Sequence, residues 1–352
     1  MTTIHIAAVG DILMWESQVQ SAKIGKTGLY TFDSMFQHVA PIFKKADLTI
    51  GNLETTLSGK QFPYQRRHPK TRYPMFNCPD QLADTLKKIG FDVLTTANNH
   101  CMDCGIIGLQ RTLDVLDRIG IRHTGTFQTK EDSKKLLVTN VKGIRVGIAA
   151  YTYGTNYIPV PKDKKWAVNR IDLPKMEADI GRLRLKSDIV IVAVHFGREF
   201  YRYPNERQKE IVKELFAYGA DIVLGCHPHV LQPMYFYKKQ RRSTKNPHKF
   251  VIYSLGNFIS EKMLNNQHST RALILHFKIK KDKKGNISVA HVSYTPTVTN
   301  TVKRDGKTVF RILPIDKFLG KANQKISATY QQKLRLARES IATHMKGNIE
   351  PI

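Results

Sequence analysis

The sequence predicts an α/β fold, and two features of its patterning carry that expectation. Short runs rich in Val and Ile alternate with amphipathic segments of helical period from the N-terminus to about residue 255. Six of those runs also end in a cluster of polar, chemistry-bearing residues. Ligands of open α/β sheets bind beyond the carboxyl ends of the strands, so strands pointing one way would gather these clusters at one edge.

The elements follow in order. Strands are expected over Ile4–Val9, Leu48–Gly51, Val93–Thr96, Val146–Thr152, Ile189–Val194, Ile222–Leu224 and Phe250–Leu255. Most are β-branched, bounded by Gly, Asn or Asp, and too short for helices. A helix over Asp80–Ile89 follows Pro79, which suits a helix start. Helices over Ile106–Ile119 and Glu206–Tyr218 each stop at a glycine, Gly120 and Gly219. Asp172–Leu185 carries Met176, Ile180 and Leu183 at helical spacing. The pattern then changes. Arg271–Ile279, Ile287–Thr295 and Val309–Leu313 read as strands with no helix between them, the first two joined by a charged Gly-Asn turn. Lys317–Met345 reads as one long amphipathic helix. Ser58–Cys78, Gly154–Ile171 and Tyr235–Lys249 read as long basic loops.

Composition excludes several classes. With 352 residues, 41% hydrophobic and 24% charged, the chain is neither disordered, collagenous nor a coiled coil. No apolar stretch approaches the length of a membrane span, and the N-terminus lacks the basic region and cleavage site of a signal peptide. Four cysteines do not make a disulfide framework in a chain this long. The expected location is therefore cytoplasmic or peripheral to a membrane. A net charge of +27 attracts polyanions: nucleic acid, anionic lipid or a carboxylate polymer.

The strand-end residues carry the chemistry. Asp11, Glu54, Asn99, His100, His195, His227 and His229 follow the six runs, with Asn52, Asn98, Glu199 and Asn257 beside them in support. Carboxylates, a carboxamide oxygen and imidazoles suit Mn, Zn or Fe, and a set of this size could hold one or two divalent ions. Two such ions can activate water for displacement at phosphorus. Each residue alone has a plainer reading as a turn or capping residue. His5, His38, His123 and His276 are read that way.

The runs Gly-Asp-Ile-Leu-Met, Gly-Asn-Leu-Glu, Ala-Asn-Asn-His, His-Phe-Gly-Arg-Glu, Gly-Cys-His-Pro-His and Tyr-Ser-Leu-Gly-Asn-Phe, in that order, resemble the CapA family of poly-γ-glutamate capsule biosynthesis proteins. That family is similar to the calcineurin-like metallophosphatases. The resemblance implies a four-layer α-β-β-α sandwich of the metallophosphatase type over residues 1–315, with 316–352 as a C-terminal helix packed on it or extending from it. It also implies that Asp11, Asn99, His195, His227 and His229 are metal ligands, that Glu54 takes the place of the bridging carboxylate, and that His100 assists the leaving group. The sequence departs from the pattern at Leu13, where phosphatases usually place a ligand histidine, and at Cys226, where the capsule family commonly has a histidine.

The expected function is a factor in making or exporting poly-γ-glutamate, with a metal-dependent phosphatase-like site. The alternatives are a stand-alone metallophosphoesterase and a metal-free polyanion-binding module. Lys238, Lys239, Arg241 and Arg242 lie in a stretch without acids and are the expected contacts for poly-γ-glutamate or another anionic polymer. Other capsule-synthesis proteins and the surface of an anionic membrane are further expected partners. Nucleic acid is disfavoured, because no helix-turn-helix or RNA-binding signature is present. Cys101-Met-Asp-Cys104 lacks the setting of a redox or zinc motif.

Overall fold

The fold comes from a computed structural model that describes residues 1–238, 248–304, 306–319 and 327–345, with the backbone alone at 238, 248 and 304. The first strands in chain order are β1 (Thr2–Ile12), β2 (Leu48–Leu53), β3 (Gln65–Arg67), β4 (Pro74–Phe76), β5 (Val93–Thr95) and β6 (Arg122–Thr124). Next come β7 (Leu137–Val141), β8 (Ile144–Thr152), β9 (Ile189–His195), β10 (Ile222–Cys226), β11 (Leu231–Lys238) and β12 (His248–Leu255). The last are β13 (Asn257–Ile259), β14 (Arg271–Lys281), β15 (Ile287–Arg304) and β16 (Lys307–Pro314).

Two sheets form. The first runs β16-β15-β14-β1-β2-β5-β6, with β13 also beside β1; the second runs β11-β12-β10-β9-β8-β7. The strands after Arg271 thus extend the first sheet. Ile4, Ile6 and Ala8 of β1 meet Ile189, Ile191, Ile222 and Ile252 of the second sheet in one shared core. The alternate residues Ala7 and Val9 face outward, onto Leu82, Leu86, Val115 and Leu116 of the helices Gln81–Ile89 and Gly105–Ile119. On the far side Val190, Val192 and Val223 pack on Ile180, Leu183, Ile211 and Leu215 of the helices Leu173–Lys186 and Glu206–Tyr218. This is the four-layer α-β-β-α sandwich. Strands covered on both faces read as continuous apolar runs, which is why β9 and β10 are so plain in the sequence.

Three expectations need correction. Lys317–Met345 is not one helix: Ile315–Leu319 and Ala328–Met345 are separate, and residues 320–326 lie outside the described residues. The second helix has its own start, where the Tyr330 N–H donates to Ser327 Oγ at 3.3 Å. Its Leu334, Ala337, Ile341 and Met345 then enter the inter-sheet core. The expected loop Ser58–Cys78 contains the hairpin β3–β4, too short and too proline-bounded to show a period of two. The expected loop Tyr235–Lys249 begins and ends as paired strand, because β11 and β12 run antiparallel from Leu231↔Leu255 to Lys238↔His248. Its Lys239, Arg241 and Arg242 lie outside the described residues, and of Lys238 only the backbone is described.

One glycine fixes how β1 delivers the site. β1 pairs with β14 over Thr2–Ala8, then with β13 over Asp11–Ile12. At the handover a Cβ on Gly10 would lie 2.0 Å from the Gly256 carbonyl oxygen. Gly10→Ala should therefore cost at least about 1–3 kcal/mol of stability, as overpacking does. Urea unfolding would measure it, with an unchanged midpoint as the contrary result.

Candidate metal centre

Register brings the polar strand ends together. Asp11 stands between Asn52 of β2 and Asn257 of β13 in the first sheet. In the second, His195 stands between Thr152 and Cys226. The chain then leaves β10 through His227-Pro228-His229 with both histidines at positive φ, 101° and 58°. That backbone costs about 1–3 kcal/mol per residue and persists where its surroundings impose it. Here it turns two imidazoles back toward the sheet edge.

The convergence is tight and buried. One ligand atom each from Asp11, Glu54 and His195 lies within 4.8 Å of the others, and the same holds for Glu54, His227 and His229. Glu54 belongs to both groups. His195 Nε2 is 2.6 Å from Asn99 Oδ1 and 3.2 Å from Glu54 Oε1. His229 Nδ1 is 3.4 Å from Asp11 Oδ2 and 2.8 Å from Asn257 Oδ1.

Asparagines frame the edge. Asn52 Nδ2 donates to Asp11 Oδ1 at 2.8 Å. Asn98 ties the loop to β2 by donating to the Leu53 carbonyl at 2.8 Å, and it accepts the His100 N–H at 3.1 Å. Asn257 donates to the Ser269 carbonyl while facing His229. Glu199 is half-buried near His229 and Asp11, and burial raises its carboxyl above the ordinary range. Leu13 is fully buried and offers no ligand atom.

The electrostatics fit a cation. Neither oxygen of Glu54 nor Nδ1 of His227 has a hydrogen-bond partner, though all are buried. Burial, then the Asp11 and Glu199 carboxylates, push Glu54 well above the usual range. Burial would raise Asp11 too, but the His229 hydrogen bond and the nearby His195 hold it well below. Burial lowers His195 to about 3 and His227 well below its ordinary value. His229 rises despite burial, through its bond to Asp11. A buried carboxylate with no donor is costly, and a divalent ion among these oxygen and nitrogen atoms would remove that cost.

Sequence reasoning missed two neighbours. Asp103 is fully buried, with Oδ2 2.7 Å from His100 Nδ1 and 2.6 Å from the Phe76 N–H. It sits three residues after His100, inside the Cys-x-x-Cys segment. Asn156, at φ 49°, accepts from Asn99 Nδ2 at 3.1 Å and places its own Nδ2 3.5 Å from His100 Nδ1. The rings of Phe76 and Tyr73 lie 4.7 and 5.8 Å from that of His100, so the basic hairpin β3–β4 borders the site. The four cysteines are free and buried, and burial raises the Cys101 thiol to about 12.

Metal uptake should release protons, because Glu54 and His229 both hold theirs more firmly than usual. A cation competes with those protons, so affinity should rise with pH and fall as pH drops through the raised range of His229, above the ordinary imidazole value. Mn or Zn at a hundredfold excess over Kd should stabilise the protein by about 2.7 kcal/mol, and Glu54→Gln should abolish the gain. Thermal unfolding with and without metal reads this; an equal gain in Glu54→Gln would remove Glu54 from the site.

This chain is similar to several known proteins. The family described as "Bacterial capsule synthesis protein PGA_cap" matches residues 5–262. The "PGA biosynthesis protein CapA" of Bacillus subtilis (strain 168) is 28% identical over 289 residues, 81% of this chain and 72% of that protein. The "Capsule biosynthesis protein CapA" of Bacillus anthracis is 28% identical over 265 residues, 74% of this chain and 60% of that protein. Among solved structures, a 5'-nucleotidase precursor from Thermus thermophilus covers 97% of this chain and 59% of its own at 14% identity and a TM-score of 0.45. No helix among the described residues is long and apolar enough to cross a membrane. With a family match spanning most of its length, this chain belongs to the bacterial capsule synthesis protein PGA_cap family.

Proposed function

We propose that this protein is a metal-dependent hydrolase of the phosphoester-cleaving kind that acts in the synthesis or export of poly-γ-glutamate. The observation that carries the reading is Glu54, a buried carboxylate without a hydrogen-bond partner that two ligand groups share. The names of the Bacillus relatives support the pathway.

Asp11, Glu54, Asn99, His195, His227 and His229 would hold one or two divalent ions, Mn, Zn or Fe. Such ions, when bound, supply an activated water and charge stabilisation at phosphorus. The remaining work falls to side chains. Asp103 accepts the Nδ1–H of His100, which leaves Nε2 as the nitrogen that exchanges a proton with a leaving oxygen. Phe76 and Tyr73 hold that ring in place and keep water from one side of it. Arg66 reaches from β3 to the Asp103 carbonyl and brings positive charge to the rim. Lys238, Lys239, Arg241 and Arg242 add a second cationic stretch that would draw an anionic chain or an anionic membrane surface. Contacts with other capsule-synthesis proteins belong to the same reading.

Turnover and metal content separate the roles. His100→Ala should lower hydrolysis of a small phosphoester by roughly 10²–10⁴ with metal retained, as loss of a general acid does. His229→Ala should lose metal and turnover together. Elemental analysis beside a phosphatase assay would decide, and the reverse pattern would exchange the roles. A host strain carrying His229→Ala should make less poly-γ-glutamate. Normal polymer despite lost turnover would leave a stand-alone phosphoesterase instead.

A further inference from the structure

A cavity of about 560 Å³ lies on the outer face of the first sheet, away from the metal centre. Its floor is a cross-strand row. His5 of β1 pairs with Lys278 of β14, which pairs with His291 of β15. One step along the strands, His276 pairs with Ser293. The intervening residues Ile4, Ile6, Phe277 and Ile279 belong to the inter-sheet core, so the period of two leaves basic side chains on this face. The walls are the helix Ala40–Phe43, continued by Lys45, and the junction of β16 with the helix Ile315–Leu319, where Pro314 and Lys317 lie. Ile42 and Pro314 add apolar surface between the charges.

The charge is one-sided. Among the described residues no carboxylate lines the cavity. Asp47, beside His5, is engaged by Lys142 at 2.6 Å and by the His5 backbone N–H at 2.9 Å. Burial holds the imidazoles of His38 and His276 below their ordinary range, and lysines 45, 278 and 317 bring positive charge to the cavity. Neighbouring strands are about 4.8 Å apart and alternate residues about 6.8 Å, so the floor presents its polar groups as a regular grid. The volume suits a ligand of a few hundred daltons.

We propose that this trough binds a short stretch of γ-linked glutamate chain, as a site separate from the metal centre. Each γ-linked unit carries one free carboxylate, an amide and a pair of methylenes. The lysines match the first, the Ser293 hydroxyl the second, and Ile42 and Pro314 the third, while the Thr295 hydroxyl and the His276 imidazole are paired with each other at 2.8 Å. A second copy of a +27 chain would bring like charge to this face. Six residue steps along β1 lead from His5 to Asp11, about 20 Å of strand, so the trough and the metal centre are separate places. The ligand's identity rests on the functional reading above.

The test is direct binding of a fluorescent penta-γ-glutamate at low salt to wild type, to Lys45→Ala/Lys278→Ala and to His229→Ala, with metal content and phosphoesterase turnover measured alongside. Wild type and His229→Ala should bind alike, and the double lysine variant should bind about tenfold more weakly with its metal and turnover unchanged. Equal affinity in the double lysine variant would overturn the site. Tighter binding of a charge-matched oligonucleotide or of anionic phospholipid vesicles would overturn the ligand. Loss of binding in His229→Ala alone would move the chain to the metal centre, overturning the trough and sparing the functional reading. Absence of metal and turnover in wild type, with lysine-dependent binding retained, would do the reverse.

Discussion

The structure at its working edge depends on one unsatisfied carboxylate. Glu54 sits where the two sheets meet, with neither oxygen accepting a hydrogen bond. A protein that only needed to fill this space could place an apolar side chain there at far lower cost. Instead the neighbours are Asp11, which adds negative charge, and His195, His227 and His229, whose nitrogens are ligands as readily as donors. Burial and the Asp11 carboxylate push Glu54 well above the usual carboxylate range, while the hydrogen bond from His229 holds Asp11 below it. The edge is organised for a cation rather than for its own stability.

Holding that arrangement takes backbone as well as side chains. The positive φ at His227 and His229 would relax if β10 were free to twist. It is not free, because a Cβ on Gly225 would fall 2.0 Å from the Tyr253 carbonyl oxygen, a sign of how closely β12 approaches. Gly10 records the same closeness on the first sheet. Between them the asparagines act as spacers, each giving its N–H groups to a carbonyl or carboxylate and turning an oxygen elsewhere. The strain of the ligand turn is thus offset by cores that are packed on both faces of each sheet.

The parts that the sequence made legible share a cause. Strands buried on both faces must be apolar along their length, so β1, β2, β9, β10 and β12 announce themselves, and the polar residue that ends each run stands out against them. Asn99, His195 and His229 were readable for that reason. Asp103 was not, because it lies in a turn and its partner is His100, three residues back, with no periodic pattern to mark it. Asn156 was hidden more deeply: its role comes from a left-handed turn in a loop, and nothing local in the chain shows that the loop returns to His100. The edge strands β6 and β7 and the hairpin β3–β4 are short and half-exposed, which weakens alternation. The histidines of the outer face misled in the opposite sense. His5 and His276 read as unremarkable singletons, since only the pairing of β1 with β14, and of β14 with β15, puts them on one face.

Charge and chemistry occupy different places on this fold. The metal edge is built from carboxylates, carboxamides and imidazoles, with no lysine or arginine among its ligand atoms. Cations gather instead at its rim, on the hairpin β3–β4, and in the outer trough. For a small substrate such separation would have little use. A polymer that repeats the same carboxylate can occupy the trough with one segment while another reaches the edge, and the first contact then makes the second intramolecular. The gain in effective concentration depends on the length of chain between the two sites and needs no additional contact. Because each contact is a surface charge pair, it stays individually weak and is screened by salt, so the polymer can be released segment by segment. A single strong cationic pocket at the metal edge would hold the chain where it must move, and it would also repel the divalent ions that Glu54 is placed to receive.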